Sequence, residues 1–327
     1  MRYDLLSNVL ISSGIVQTLD PLSDILSLMK PRNLLAAGFE AGGDWAVRFP
    51  ESRGNIKSGA VVAGACWLSV DGLPDPVRLE TGDCFLLPTG RSFSLASAPA
   101  IDLAIEPMDA QHIFPRVRRG GVAALNGGRD VSLVSSRFAL EGPQVGMLLR
   151  LLPPLVHIRQ GAETAMLRWS TERMMQELRD GRPGSFLLVQ YLAHMMLVQA
   201  LRLHLSGAGQ GVGWLFALAD RQMNAALEAM HAEPAHRWSV EELAARAGMS
   251  RSAFAARFRA TVGTPPMEYL TRWRMLLGAD RLAHSRESIA TVALALGYRS
   301  ESAFSIAFKR VMGSSPRRYA STTSNGA

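Results

Sequence analysis

Cysteine is scarce in this chain. Cys66 and Cys84 are the only two among 327 residues, and neither stands in a Cys-x-x-Cys or Cys/His cluster. A disulfide framework and a structural zinc site are therefore excluded, and both thiols are expected in the core of a protein from a reduced compartment. Nor is a secretory leader expected: Asp4 comes early, and no basic start runs into a clean apolar stretch with a small-residue cleavage site. The most apolar later segment, Phe186–Leu205, is interrupted by Gln190, His194, Gln199, Arg202 and His204, which are costly in lipid. It reads as a packed helix, so the expectation is a cytoplasmic protein with no membrane partner. With 48% hydrophobic and only 19% charged residues, the chain can bury a full core, and its length predicts two domains.

Charge is present but localised. Of 35 Lys and Arg and 28 Asp and Glu, residues 231–327 hold 14 and 7, which leaves 21 of each for the other 230 residues. The whole net charge of +7 thus lies in the C-terminal segment. A polyanion fits such a concentration, because each phosphate neutralised by Lys or Arg releases condensed counterions.

Between Asn33 and Ala110, short apolar runs such as Val61–Val62 and Cys66–Trp67–Leu68 alternate with turn residues such as Asp71–Gly72 and Thr81–Gly82–Asp83. This is the punctuation of a small antiparallel β-sandwich or barrel. Residues Gly120–Gly146 add a few more strands and loops. From Leu148 helices are expected, one over Thr164–Leu178 and a second from an N-cap at Ser185 to about Leu205. The glycine-rich run Ser206–Gly213 is a flexible linker and the clearest domain boundary.

The basic segment contains a repeat. Ser250, Phe254, Phe258, Gly263, Pro266 and Tyr269 recur as Ser300, Phe304, Phe308, Gly313, Pro316 and Tyr319, each pair offset by fifty, so one supersecondary unit is used twice. In the first copy Ser239 and Glu242 form a capping box, a short helix runs through Leu243, Ala244 and Ala247, and Gly248 stops it in a tight turn. Ser250 caps a second helix on which Phe254 and Phe258 stand one turn apart toward the core. The second copy repeats the logic with Ala293, Gly297 and Ser300, its turn one residue longer. The opposite face of each second helix is short or basic: Ser252, Ala255, Ala256 and Arg259, then Ser302, Ser305, Ile306 and Lys309. Small side chains let a helix seat in the major groove while its basic end reaches phosphate.

With these residues in view, the segment from about Asp220 to Ala320 resembles the AraC/XylS family of bacterial regulators. Gly297–Tyr298, Ser300, Phe304, Phe308–Lys309, Gly313, Pro316 and Tyr319 are similar to that family's second-motif signature. The resemblance implies two helix-turn-helix motifs, at about 239–260 and 287–310, joined by a long helix from Glu268 to about Ala283 with Leu270, Trp273 and Leu277 packed between them. It also implies base-reading positions at Ser252, Ala255 and Ala256 and at Ser302, Ala303 and Ile306. Residues so small or apolar favour, over bidentate arginine readout at these places, either thymine-methyl contacts or specificity carried by Arg251, Arg299 and Glu301 at the helix starts.

In the N-terminal half, Gly82–Asp83–Cys84–Phe85–Leu86–Leu87–Pro88–Thr89–Gly90 resembles the second motif of a cupin barrel, and Pro21–Ser97 is similar to cupin-like sensor domains attached to some AraC-type regulators. Metal-binding cupins carry histidines at the places held here by Gly59, Val61 and Phe93, so no metal or other cofactor is expected, and cupin enzyme chemistry is disfavoured. A barrel without metal still holds small molecules. Candidate effector contacts are Trp45, Arg48, Trp67, Arg91 and Phe93, the arginines suited to a carboxylate; the aromatics fit ordinary barrel packing at least as well, and Arg48 beside Trp45 fits a solvated surface pair. His112, His157, His194 and His204 lack ligand spacing and read as structural.

The expected architecture is α+β: a cupin-like β-barrel sensor over 1–147, a helical linker and dimerisation region over 148–206, and an all-α double helix-turn-helix domain over 214–320. The stripe Leu188, Leu192, Met195, Met196 and Gln199 suits a homodimer contact or packing on the chain's own barrel. The expected function is a sequence-specific, ligand-controlled transcriptional regulator rather than an enzyme. Its partners would be double-stranded DNA, an unidentified small-molecule effector, a second copy of the chain and, as a candidate, RNA polymerase. The alternatives are a non-specific nucleic-acid-binding protein and, more remotely, a cupin-type enzyme.

Overall fold

The computed structural model describes residues 20–52, 54–99, 105–114, 121–140, 152–207, 213–285 and 287–324. Asp4, Glu141–Gly146 at the end of the second expected β-rich stretch, and Ala208–Val212 of the expected linker lie outside the described residues. The chain divides into two compact units, one built from residues 30–140 and 152–207, the other from 20–29 and 213–324.

The first unit contains eleven described strands: β1 (Arg32–Ala41), β2 (Ala46–Phe49), β3 (Asn55–Ala63), β4 (Ala65–Val70), β5 (Val77–Glu80), β6 (Cys84–Leu87), β7 (Phe93–Ala96), β8 (Met108–Asp109), β9 (Val122–Leu125), β10 (Val131–Ala139) and β11 (Val156–Ile158). They form a six-stranded sheet in the order β11-β6-β3-β10-β1-β9 and a five-stranded sheet in the order β5-β4-β7-β2-β8. Alternate residues of the two sheets meet in one core that includes Phe39, Trp45, Val61, Leu68, Phe85, Phe93 and Leu133, as the period of two along a strand dictates. β11 lies where helix was expected. Pro153 and Pro154 oppose a helix there, and Val156 and Ile158 pair with Leu86 and Cys84 on β6.

The outer face of the larger sheet is covered by α3 (Ala165–Asp180) and α4 (Ser185–Gly207); α2 (Ala110–Ile113) is a single turn. α3 sits close on β1, because a Cβ on Gly38 would come within 3.0 Å of the Met175 sulfur. Ser185 is the first helical residue rather than the N-cap, and its hydroxyl donates to buried Glu177 at 2.6 Å, tying α4 back to α3. α4 has the length and composition of a membrane span, yet Val189, Ala193, Leu197 and Ala200 are buried and the helix packs on α3, β1, β6 and β11.

The second unit is all helical: α1 (Pro21–Met29), α5 (Trp214–Ala217), α6 (Arg221–Ala232), α7 (Val240–Arg246), α8 (Arg251–Val262), α9 (Pro266–His284), α10 (Ile289–Ala295), α11 (Glu301–Met312) and α12 (Pro316–Ser324). The sequence pattern placed α1 with the barrel, but it belongs here. Its Leu22, Ile25, Leu28 and Met29 are buried, and it packs on α6 and α9. His231, wholly buried, donates from Nδ1 to Asp24 at 3.0 Å, accepts at Nε2 from the Tyr269 hydroxyl at 2.8 Å, and stacks on Trp273 with ring centres 4.0 Å apart. That proton assignment follows from Asp24 accepting only.

Candidate nucleic-acid interface

Each half of the repeat is built by its caps. Ser239 accepts from the Glu242 amide at 3.2 Å while Glu242 accepts from the Ser239 amide at 2.7 Å, which starts α7. These bonds, the backbone one foremost, hold the Glu242 carboxyl below its ordinary value. Ser288 starts α10 in the same manner, accepting from the Thr291 amide at 3.1 Å. Ser250 accepts from Ala253 at 3.4 Å and Ser300 from Ala303 at 3.2 Å, so both second helices begin at their serines. Four residues separate α7 from α8 and five separate α10 from α11, the extra residue the spacing predicts.

The fifty-residue repeat is also geometric. Phe254 and Phe258 have ring centres 5.5 Å apart, as do Phe304 and Phe308; Tyr269 meets Phe258 edge-on at 5.9 Å, and Tyr319 meets Phe308 edge-on at 5.5 Å. These aromatics are core, which fixes the rotation of α8 and α11 and decides what remains outside. Arg251, Ser252, Ala256 and Arg259 on α8 are exposed, with Ala255 half-buried. Arg299, Glu301, Ser302, Ala303, Ile306 and Lys309 are exposed on or beside α11, with Ser305 half-buried. Ile306 is 71% exposed, an apolar side chain held in water with no core role.

The joining helix is α9, which starts two residues earlier than expected because Pro266 occupies its first position. Leu270 and Trp273 are buried near its start, and Met275, Ala279 and Leu282 join the core of the second motif. Gly278 lets it approach Phe304, whose ring a Cβ would meet at 3.0 Å.

Not every cation is available to phosphate. Arg257 donates to Asp220 and Gln222 at 2.6 Å each. Arg251 pairs with Glu241 at 2.7 Å, but with side chains 69% and 58% exposed that pair is weak and readily exchanged. Arg310 and Arg317, exposed at the end of α11 and the start of α12, were not singled out from sequence, although their local charge density was a signal for them.

In the barrel the five candidate effector contacts do not converge. Trp45 and Phe93 are buried core residues. Arg48 and Trp67 alternate with inward-facing Val47, Cys66 and Leu68, so both leave the outer face of their sheet. Arg48 pairs there with Asp71, and Arg91 donates to the Asp71 carbonyl at 3.1 Å. Of the cupin metal positions, Gly59 lies under the Phe85 ring, which a Cβ would meet at 2.5 Å, and Val61 is in the core. Among the described residues no three His, Cys, Asp or Glu side chains group as metal ligands. Burial pushes the Cys66 and Cys84 thiols up to about 12, so both remain unreactive packing groups.

Residues 20–206 match the cupin family model and residues 243–322 a helix-turn-helix domain. An AraC-like transcription regulator of Streptomyces antibioticus is 45% identical over 92% of this chain and 98% of its own length, and its counterpart in Streptomyces lividans is 44% identical over the same shares. Among solved structures, ToxT of Vibrio cholerae O395 aligns over 90% of this chain and 98% of its own, at 12% identity and a TM-score of 0.34. Two Ser-capped helices with matched aromatic cores, an N-terminal cupin match and full-length relatives of one kind agree: the chain belongs to the AraC family of DNA-binding transcriptional regulators, with an N-terminal cupin domain.

Proposed function

We propose that the chain recognises a specific DNA sequence with α8 and α11 and that a small molecule bound in the barrel controls this activity in the cytoplasm. One observation supports it above the rest: the same exposed face of small and basic side chains is presented twice, on helices joined by one continuous helix. Arg251, Ser252, Ala255, Ala256 and Arg259 would serve one groove segment, and Arg299, Glu301, Ser302, Ser305, Ile306 and Lys309 the next. Two such helices suit successive major-groove segments about 10 base pairs apart. Non-specific binding to nucleic acid would be satisfied by the charge alone but not by the exposed Ile306.

Residues 214–320 would carry DNA binding, and 148–206 a homodimer contact. Support for the latter comes from Trp169, Phe186, Leu187, Leu188 and Tyr191, all exposed on α3 and α4; Leu192 and Met196 of the expected stripe are buried on the chain's own side. A patch of this kind is unusual on a monomer. The test is a footprint on DNA selected by the full-length protein. Two protected boxes, each sensitive to scrambling, are expected; a footprint unchanged on scrambled DNA leaves only the non-specific reading.

A further inference from the structure

The effector reading does not say where in the barrel a ligand sits, and two side chains bear on that. Lys57 of β3 and Arg137 of β10 stand directly opposite each other in the antiparallel register, so both leave the same face of the sheet. That face is the interior: Val61 and Leu133, four residues along each strand, form another registered pair and belong to the barrel core. Lys57 is only 8% exposed. Its Nζ donates to the Pro50 carbonyl at 2.5 Å and lies 5.1 Å from the centre of the Phe93 ring, which is stacked on Phe49 at 4.5 Å.

The Arg137 Nε is buried with no hydrogen-bond partner among the described residues. A buried guanidinium N–H left unmet near the buried Lys57 ammonium is a costly arrangement. Burial first, then Arg137, pulls the Lys57 amine down to about 8, with Glu51 opposing. An anion placed between the two would meet the orphaned donor and relieve the like-charge repulsion together. The neighbouring Phe49–Phe93 stack is apolar, which suits a singly charged head on an apolar body and disfavours a phosphate dianion. Arg137 and Phe49 are each partly exposed.

We propose that Lys57 and Arg137 form an anion site inside the barrel that holds the carboxylate of a small organic acid, with its apolar body along Phe49 and Phe93. This rests on the effector reading and names the class of effector. Because the bound anion favours the ammonium form of Lys57, affinity should fall once the pH passes about 8.

The experiment measures thermal stabilisation of the full-length protein by benzoate and octanoate against their uncharged amides, at neutral pH and well above pH 8. Both acids should stabilise at neutral pH, with the amides about tenfold weaker or more, the loss expected for a charge-assisted hydrogen bond. K57M and R137M should bind the acids as weakly as the wild type binds amides. Acids and amides of equal effect, or variants that bind the acids unchanged, would overturn the anion site while leaving a ligand-binding barrel. No stabilisation by either acid would overturn it too. The acid–amide comparison needs no variant, so a folding defect in K57M or R137M does not rescue the proposal.

Discussion

Gly297, in the turn of the second motif, lies against the carbonyl of Ala235 in the loop that precedes the first: a Cβ there would stand 2.2 Å from that oxygen, on a backbone with φ of +80°. The same loop receives α9, since Arg274 donates to the Pro234 carbonyl at 2.5 Å and the His236 carbonyl at 2.7 Å. Residues 234–236 therefore set how the two motifs stand relative to each other. G297A is expected to destabilise the helical unit by at least about 2 kcal/mol, through left-handed strain and displacement of a backbone segment. It should also relax the preferred spacing between the two DNA boxes. Denaturation and binding to operators with altered spacing measure both; a G297A protein of wild-type stability would show the contact to be dispensable.

The exposed cations divide into two kinds with different expected phenotypes. R259A and K309A should weaken binding on every sequence alike and lower the salt slope by about one each. R257A should leave the salt slope unchanged and cost at most about 1 kcal/mol of stability, because Arg257 is held by Asp220 and Gln222 at the start of α6 in a partly exposed pair. Affinities over a range of salt concentrations, with melting curves, separate the two.

Bulky replacements of Ser252 or Ser302 should change which bases are tolerated in one box only, since each serine lies exposed on a different helix. Inserting about five base pairs between the boxes turns one to the far side of the duplex and should abolish joint binding. Undiminished affinity on that DNA would contradict docking of both helices by one chain.

What the sequence disclosed was local. Ser239, Ser250 and Ser300 bond to amides three residues on, and Phe254 and Phe258 lie one turn apart, so caps and core faces follow from spacing alone. The barrel site was less legible because it depends on which face of a strand points inward. Trp67 alternates with Cys66 and Leu68, and that alternation carries the answer only when the inner face is known. The juxtaposition of Lys57 with Arg137 depends on a register between strands some eighty residues apart in the chain. The stripe on α4 divides between its two readings: Leu192 and Met196 are buried on the chain's own side, with Val189 and Ala193, while Leu188 is exposed beside Tyr191.

If α3 and α4 form a contact between copies, Y191E should shift the protein toward monomer with little loss of barrel stability, since Tyr191 is 65% exposed. Sedimentation at several protein concentrations reads the change. Wild type and Y191E that sediment identically would place the dimer contact elsewhere or remove it.

His231 gives the helical unit a pH dependence. Burial lowers its proton affinity, against the opposing pull of Asp24 and Asp20, and Tyr269 offers it only a hydroxyl. Above the ordinary histidine value of about 6.5 the ring is neutral in both folded and unfolded chains. As pH falls below it, the unfolded chain takes up a proton that the folded one resists, so stability declines by up to about 1.4 kcal/mol per pH unit until the folded value is reached. H231Q should remove that part of the decline, and melting temperatures across the acid range would show whether it does.

The position of α1 has a consequence for biosynthesis. Asp24 is made 207 residues before the His231 it bonds. At roughly 5 to 20 residues per second, α1, the first helix among the described residues, therefore waits on the order of ten to forty seconds for its partner surface to be translated. During that interval the β-strands that follow it are already being made, and its buried face of Leu22, Ile25 and Leu28 has nothing of its own unit to cover it. The helical unit that includes α1 is therefore completed only when nearly the whole chain has been synthesised.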